Sequence, residues 1–219
     1  MNKLKKLFSF LIFVITLSNM ISYSFAASLA DKTSELEENL SSEAVLIMES
    51  STGKVIYEKN GYEKKYPAST TKILTAILAI EHCNLNETAT ASEFAINSIP
   101  SGYSTANIQI GETLSVKDLL YALMLQSANE SAVILAEHIS GSQEAFADLM
   151  NEKAKEIGCE NSHFVNPNGI HNENHYTTAH DLALIANYSM QNETFRDIVK
   201  TTSFTLPATS AYPSESRTY

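Results

Sequence analysis

Two serine–lysine pairs three residues apart, Ser51/Lys54 and Ser69/Lys72, are the places in this 219-residue chain where residue type and spacing could make an acyl-transfer site. A serine hydroxyl is a poor nucleophile until a base takes its proton. Lysine can serve only where burial or neighbouring positive charge lowers its pKa. Local context separates the pairs. Ser51 falls in the turn before Gly53, where nothing relates its side chain to Lys54. Ser69 and Lys72 open a run with Ile73, Ala76, Ile77 and Ile80 at helical spacing, so the two share a face and the apolar side can bury the amine. Free N–H groups at a helix start also favour the negative charge that develops on a carbonyl under attack. Spacing alone favours the plainer reading, in which Ser69 is a helix N-cap and Lys72 a solvated charge.

Ser127-Ala128-Asn129 is the one Ser-x-Asn in the chain and lies in the break between two apolar runs. A hydroxyl and a carboxamide held there can relay a proton and hydrogen-bond a substrate amide. The plainer reading is a polar turn between helices.

The elements that must position these residues are legible in outline. Ala44–Met48 and Lys54–Glu58 flank Ser50-Ser51-Thr52-Gly53 and predict a hairpin. Ser69–His82 predicts a helix, and Thr88–Pro100 with Tyr103–Ile110 a linker or short strands. Ser115 with Asp118, and Thr178 with Asp181, look like caps that open helices over Leu119–Leu125 and Leu182–Met190. Further helices are expected at Asn129–Ile139, at Gln143–Ile157 ending on Gly158, and at Thr194–Lys200. His163–Val165 leads into the Asn166-Pro167-Asn168-Gly169 turn, and Ser203–Leu206 reads as a returning strand.

Met1–Ala26 has the form of a secretory signal: a basic start at Lys3, Lys5 and Lys6, an apolar run from Leu7 to Leu17, and small residues at Ser24-Phe25-Ala26. Polar residues from Ser18 onward break the stretch short of the roughly 20 apolar residues a membrane span needs. Residues 27–42 are expected to be a flexible segment and 43–219 one domain. Loss of the signal removes three lysines and no acids and takes the net charge from −10 to −13, which argues against a nucleic-acid partner. Cys83 and Cys159 read as semi-buried thiols at helix ends, with a bridge as the alternative. The two cysteines are far apart in sequence and the six histidines scattered, so no metal site is expected. His171, His175 and His180 have ligand-like spacing but read as a structural loop, with Asp181 at the helix start. No cofactor is expected.

Ser69-Thr70-Thr71-Lys72 followed by Ser127-Ala128-Asn129 resembles the first two of three signatures of the penicillin-binding serine transferases. Tyr66-Pro67-Ala68 before the serine, Thr52-Gly53-Lys54-Val55, His163-Phe164-Val165-Asn166-Pro167-Asn168-Gly169 and His175-Tyr176-Thr177-Thr178-Ala179-His180-Asp181-Leu182-Ala183 resemble the low-molecular-weight D-alanyl-D-alanine carboxypeptidases in particular. The resemblance implies an α+β, β-lactamase/transpeptidase-like fold with a helical cluster on an antiparallel sheet. It implies Ser69 as nucleophile and Lys72 as base. Ser127 would relay a proton to the leaving amine, and Asn129 would hold the substrate backbone. It further implies peptidoglycan stem peptides ending in D-Ala-D-Ala as substrate, β-lactams as covalent inhibitors, an extracytoplasmic location, and room for peripheral membrane association through a region beyond Tyr219.

One departure limits that expectation. The third signature, Lys-Thr-Gly, is absent, since Lys200-Thr201 runs into Thr202, and its place would lie beyond Tyr219. The sequence therefore reads as an incomplete domain whose last sheet strands are missing. Two rivals follow: a class A β-lactamase-like hydrolase, and an inert, truncated relative that binds peptidoglycan. Against the first, the only acid between Gly158 and Gly169 is Glu160, with no Glu-x-x-x-Asn to activate a deacylating water.

Overall fold

In the computed structural model, which describes residues 40–219, strands β1 (Val45–Met48) and β2 (Val55–Lys59) pair antiparallel around the expected turn. The Gly53 N–H donates to the Glu49 carbonyl at 2.9 Å and closes it. The expected signal and nearly all of the flexible segment lie outside the described residues. Ala44–Tyr219 forms one unit.

A 3-10 turn, Ala68–Thr71, leads into α1 (Lys72–His82). The region expected to be linker or strands resolves into β3 (Thr88–Thr90), α2 (Glu93–Asn97) and β4 (Thr113–Ser115). Four longer helices follow: α3 (Val116–Leu125), α4 (Asn129–Ser140), α5 (Gln143–Ile157) and α6 (Ala179–Ser189). A short α7 (Glu193–Val199) precedes β5 (Thr205–Leu206) and β6 (Arg217–Thr218). Their starts obey the cap chemistry. The Ser115 and Thr178 hydroxyls accept from the N–H groups of Asp118 and Asp181, each at 3.0 Å. Such caps are worth about 1 kcal/mol apiece. Gly158 ends α5 at φ +100°, the left-handed cap its position predicts.

Helix α4 explains where the core sits. Its residues Asn129 through Ala136 are all buried, which a helix reaches only when neighbours cover every face. Ser131, Ala132 and Ala136 let α1, α3 and α5 approach closely, and Leu74, Leu78, Leu119, Leu123, Phe146 and Met150 fill the space between. The α+β class holds, but the strands among the described residues form three separate two-stranded ladders, β1-β2, β3-β4 and β5-β6. β5 does not return to the hairpin. It pairs with β6, and reciprocal bonds between Phe204 and Tyr219 extend that ladder while the Phe204 ring stacks on Tyr121 at 4.0 Å. β1 packs instead against α6.

The β5-β6 segment is held by a buried ion pair. The Arg217 guanidinium bonds Glu112, whose side chain is fully enclosed, and also donates to the carbonyls of Ala106 and Asn107 at 3.1 Å. Removal of one partner would strand a buried charge, so Arg217→Ala is expected to lower unfolding stability by about 3 kcal/mol, read from denaturant titration. A loss within a few tenths of a kcal/mol would mean that Glu112 is satisfied without the arginine.

Candidate active site

Ser69 lies in the 3-10 turn that precedes α1, not in the first turn of the helix itself as the sequence predicts. In a 3-10 turn, residues i and i+3 eclipse, which sets Ser69 directly in line with Lys72. The turn begins at Pro67, whose carbonyl accepts from the Thr70 N–H at 3.2 Å and the Thr70 hydroxyl at 2.6 Å. Ala68 then takes a left-handed φ of +48°, a conformation that costs a non-glycine residue about 1 kcal/mol. The Ser69 hydroxyl caps neither the turn nor α1. It is exposed, and it lies 3.3 Å from the Lys72 amine.

Lys72 is not a surface charge. The residue is 2% exposed, and burial pulls its ammonium down to about 8 against the opposing influence of the Glu130 carboxylate. Besides Ser69, Nζ reaches the Asn129 Oδ1 at 3.0 Å and the Asn168 carbonyl at 2.8 Å. A neutral amine has two N–H donors and one lone pair. In that form, donors spent on Asn129 and Asn168 would leave the lone pair for the Ser69 hydroxyl, to which the ammonium form donates at 3.3 Å. That is the arrangement a general base requires.

Asn129 opens α4, and both ends of its carboxamide are engaged. Oδ1 accepts from Lys72, while Nδ2 and the backbone N–H both donate to the Ser104 carbonyl. Ser127 stands in the α3–α4 break, half-buried, at φ +56°. Among the described residues, Lys72 bonds Ser69, Asn129 and Asn168 and does not bond the Ser127 hydroxyl. Three of the four expected site residues thus meet at one amine, and the fourth flanks them in strained backbone. The Lys200-Thr201 pair sits elsewhere, at the end of α7, with Lys200 bonded to the exposed Asp197.

Residues that the sequence marked only as turn or loop complete the site. The Asn166–Gly169 turn is locked by its own side chains: Asn166 Oδ1 accepts from the Gly169 N–H at 2.7 Å, and Asn168 Oδ1 from the Ile170 N–H at 3.1 Å. Thr75 ties it to α1 by donating to the Pro167 carbonyl at 2.6 Å. Gly169, at φ +82°, presses on the Ala68 carbonyl so closely that an added Cβ would stand 1.8 Å from that oxygen. Glu130 accepts from the Ala106 N–H and the Thr105 hydroxyl, which holds the loop that in turn holds Asn129.

His175 belongs to this support and not to a metal site. Its Nδ1 accepts from the Val165 N–H at 3.1 Å, so Nε2 carries the proton and donates to the Thr71 hydroxyl at 2.8 Å, between Ser69 and Lys72. His171 packs instead on Tyr66 and His180 on Tyr62. Burial, aided by His163, lowers the His175 pKa to about 4. A depressed pKa means the unfolded chain binds the proton first. The contribution is therefore complete above about pH 6.5 and is lost as pH falls toward 4, some 3 kcal/mol in all. Unfolding measured across that window should show this loss in the wild type and a smaller one in His175→Gln. Equal slopes would exclude the imidazole as the cause.

Cys83 and Cys159 are both free thiols, half-buried and buried respectively. Asp181 does more than open α6: its carboxylate accepts from the Asn161 N–H and the Ser162 hydroxyl, at 2.8 and 2.7 Å.

Comparison with known proteins identifies the family and the fold. The family model described as D-alanyl-D-alanine carboxypeptidase matches residues 31–214. The chain is 39% identical over 195 residues to the D-alanyl-D-alanine carboxypeptidase DacF of Bacillus subtilis, covering 87% of this chain and 49% of that protein. It is 36% identical over 170 residues to a Streptomyces D-alanyl-D-alanine carboxypeptidase, covering 72% of this chain and 57% of that one. Among solved structures, the DacD carboxypeptidase of Francisella tularensis superposes with a TM-score of 0.72 at 34% identity, over 81% of this chain and 43% of that chain. A Streptomyces DD-transpeptidase gives 0.73 at 31%, over 82% and 72%. The chain spans about half the length of the Bacillus relative.

Proposed function

Because the chain belongs to the D-alanyl-D-alanine carboxypeptidase family, we propose that Ser69 attacks the peptide bond between the two terminal D-alanines of peptidoglycan stem peptides. The observation that carries this reading is the buried Lys72 amine 3.3 Å from an exposed Ser69 hydroxyl. The serine proton passes to Nζ as Oγ bonds the carbonyl carbon. The resulting oxyanion forms beside the start of α1, where free N–H groups favour negative charge. Its collapse breaks the C–N bond, and the leaving amine takes a proton relayed through Ser127. The second hydrogen of the Asn129 carboxamide is available to the substrate backbone. Water then attacks the ester, releases the shortened peptide and returns the proton to Ser69.

A β-lactam amide follows the same first step, but its leaving amine stays tethered. Glu160, the one acid before the Asn166–Gly169 turn, is exposed, and its position offers no counterpart of a deacylating glutamate, so the adduct should persist. The signal-like Met1–Ala26 supports action outside the cytoplasmic membrane, where peptidoglycan lies. No helix of the described residues is long and apolar enough to cross a membrane.

The test is covalent labelling with a fluorescent penicillin. The wild-type chain should label, and Ser69→Ala should not. A label that survives Ser69→Ala would remove this serine from the mechanism, and rapid repeated hydrolysis of the β-lactam would favour the lactamase reading. A chimera that continues the chain with the C-terminal half of the Bacillus relative separates the inert reading. If only the chimera labels, the assignment of Ser69 holds while the 219 residues are insufficient by themselves.

A further inference from the structure

Helices α1 and α4 carry Lys72 and Asn129 at their first residues, and their far ends also meet. Cys83 follows the last residue of α1, His138 lies in the last turn of α4, and Glu87 stands between them on the connection to β3. One donor atom from each, a sulfur, a nitrogen and an oxygen, lies within 4.8 Å of the other two. The Glu87 Oε1 to His138 Nε2 distance is 3.3 Å. None of the three takes part in the chemistry proposed for Ser69. The eleven residues of α1 put this cluster roughly 16 Å along the helix from that site.

We propose that Cys83, Glu87 and His138 bind a divalent cation of borderline softness, Zn2+ foremost. One thiolate, one imidazole and one carboxylate suit that ion, and solvent supplies the fourth ligand because Glu87 and His138 are exposed. The geometry is close to what is needed. In a tetrahedron with bonds of about 2.0–2.3 Å, donor atoms stand about 3.3–3.8 Å apart. The Glu87–His138 edge already has that length, at 3.3 Å, and the other two edges are no longer than 4.8 Å. The backbone under the carboxylate is fixed, since the Glu87 N–H donates to Asn84 O at 3.0 Å and its carbonyl accepts from the Val116 N–H at 2.9 Å. On binding, the thiol proton leaves to solvent, Nε2 takes the metal, and the imidazole keeps its hydrogen on Nδ1. The ion then clips the ends of α1 and α4 together, opposite the ends that hold Lys72 against Asn129. The sequence does not announce this site, because positions 83, 87 and 138 have no ligand spacing and only the fold joins them.

Calorimetric titration of the metal-free chain with Zn2+ should show one equivalent bound. Cys83→Ser and His138→Gln should each weaken binding at least about tenfold, the lower bound for loss even of an outer partner of a metal site. Co2+ in place of Zn2+ should give a thiolate charge-transfer absorption that Cys83→Ser abolishes, and Zn2+ should shield Cys83 from a thiol reagent until chelator is added. Should Cys83→Ser fold poorly, His138→Gln changes an exposed side chain and carries the test. Absence of the one-equivalent step, or an affinity that neither substitution changes, would overturn the proposal.

Discussion

Gly169→Ala is expected to abolish acylation of Ser69 and to lower stability by roughly 3 kcal/mol. Two effects of different origin coincide. At φ +82° any L side chain is strained, and here the added methyl also meets the Ala68 carbonyl at 1.8 Å. That obstacle is backbone, so it cannot rotate aside. Relief requires either the Asn166–Gly169 turn or the Ala68–Thr71 turn to move. The first carries the Asn168 carbonyl that orients Lys72, and the second carries Ser69 itself. Labelling kinetics and denaturant unfolding of the same preparation read both consequences. Wild-type labelling with reduced stability would show that the site tolerates displacement of the turn.

The second large effect concerns Lys72. Its loss in Lys72→Ala should slow acylation about a thousandfold, within the range that a positioned base supplies. The pH dependence sharpens the claim. Only the neutral amine can take the serine proton, and burial has lowered its pKa to about 8. Acylation by the wild type should therefore rise with pH through about 8 and level off above it. At neutral pH a minority of molecules hold the competent form, about a tenth for a pKa one unit above the pH. Lys72→Ala should be slow at every pH in that window and lack the inflection. A wild-type profile with no inflection near 8 would assign the proton transfer to another group.

Much of the scaffold was legible because local chemistry decides it. The caps at Ser115 and Thr178 and the stop at Gly158 lie where their residue types require. The Ser69/Lys72 pair could be ranked above Ser51/Lys54 by helical placement alone. Other features depend on partners remote in sequence. Nothing near Lys72 announces the Asn168 carbonyl, and nothing near Thr71 announces the neutral His175. Nor does the sequence near Asn129 announce its bonds to Lys72 and Ser104. Strand pairing failed for a related reason. β5 is two residues long and has no alternation by which to choose a partner, so the reciprocal Phe204–Tyr219 bonds and the Tyr121 ring decide it.

The Asn166–Gly169 turn also sets a clock. Ser69 and Lys72 stand close together in the chain, but the carbonyl that accepts from the amine comes 96 residues after Lys72. A ribosome or export channel that delivers the chain from its amino end releases Ser69 long before that carbonyl. Without the burial that lowers its pKa, Lys72 would be an ordinary solvated ammonium throughout the interval, and the serine beside it would lack its proposed base. On the proposed chemistry, the newborn polypeptide would escape penicillin until the turn has emerged and docked, and labelling by the drug would itself be a late marker of maturation.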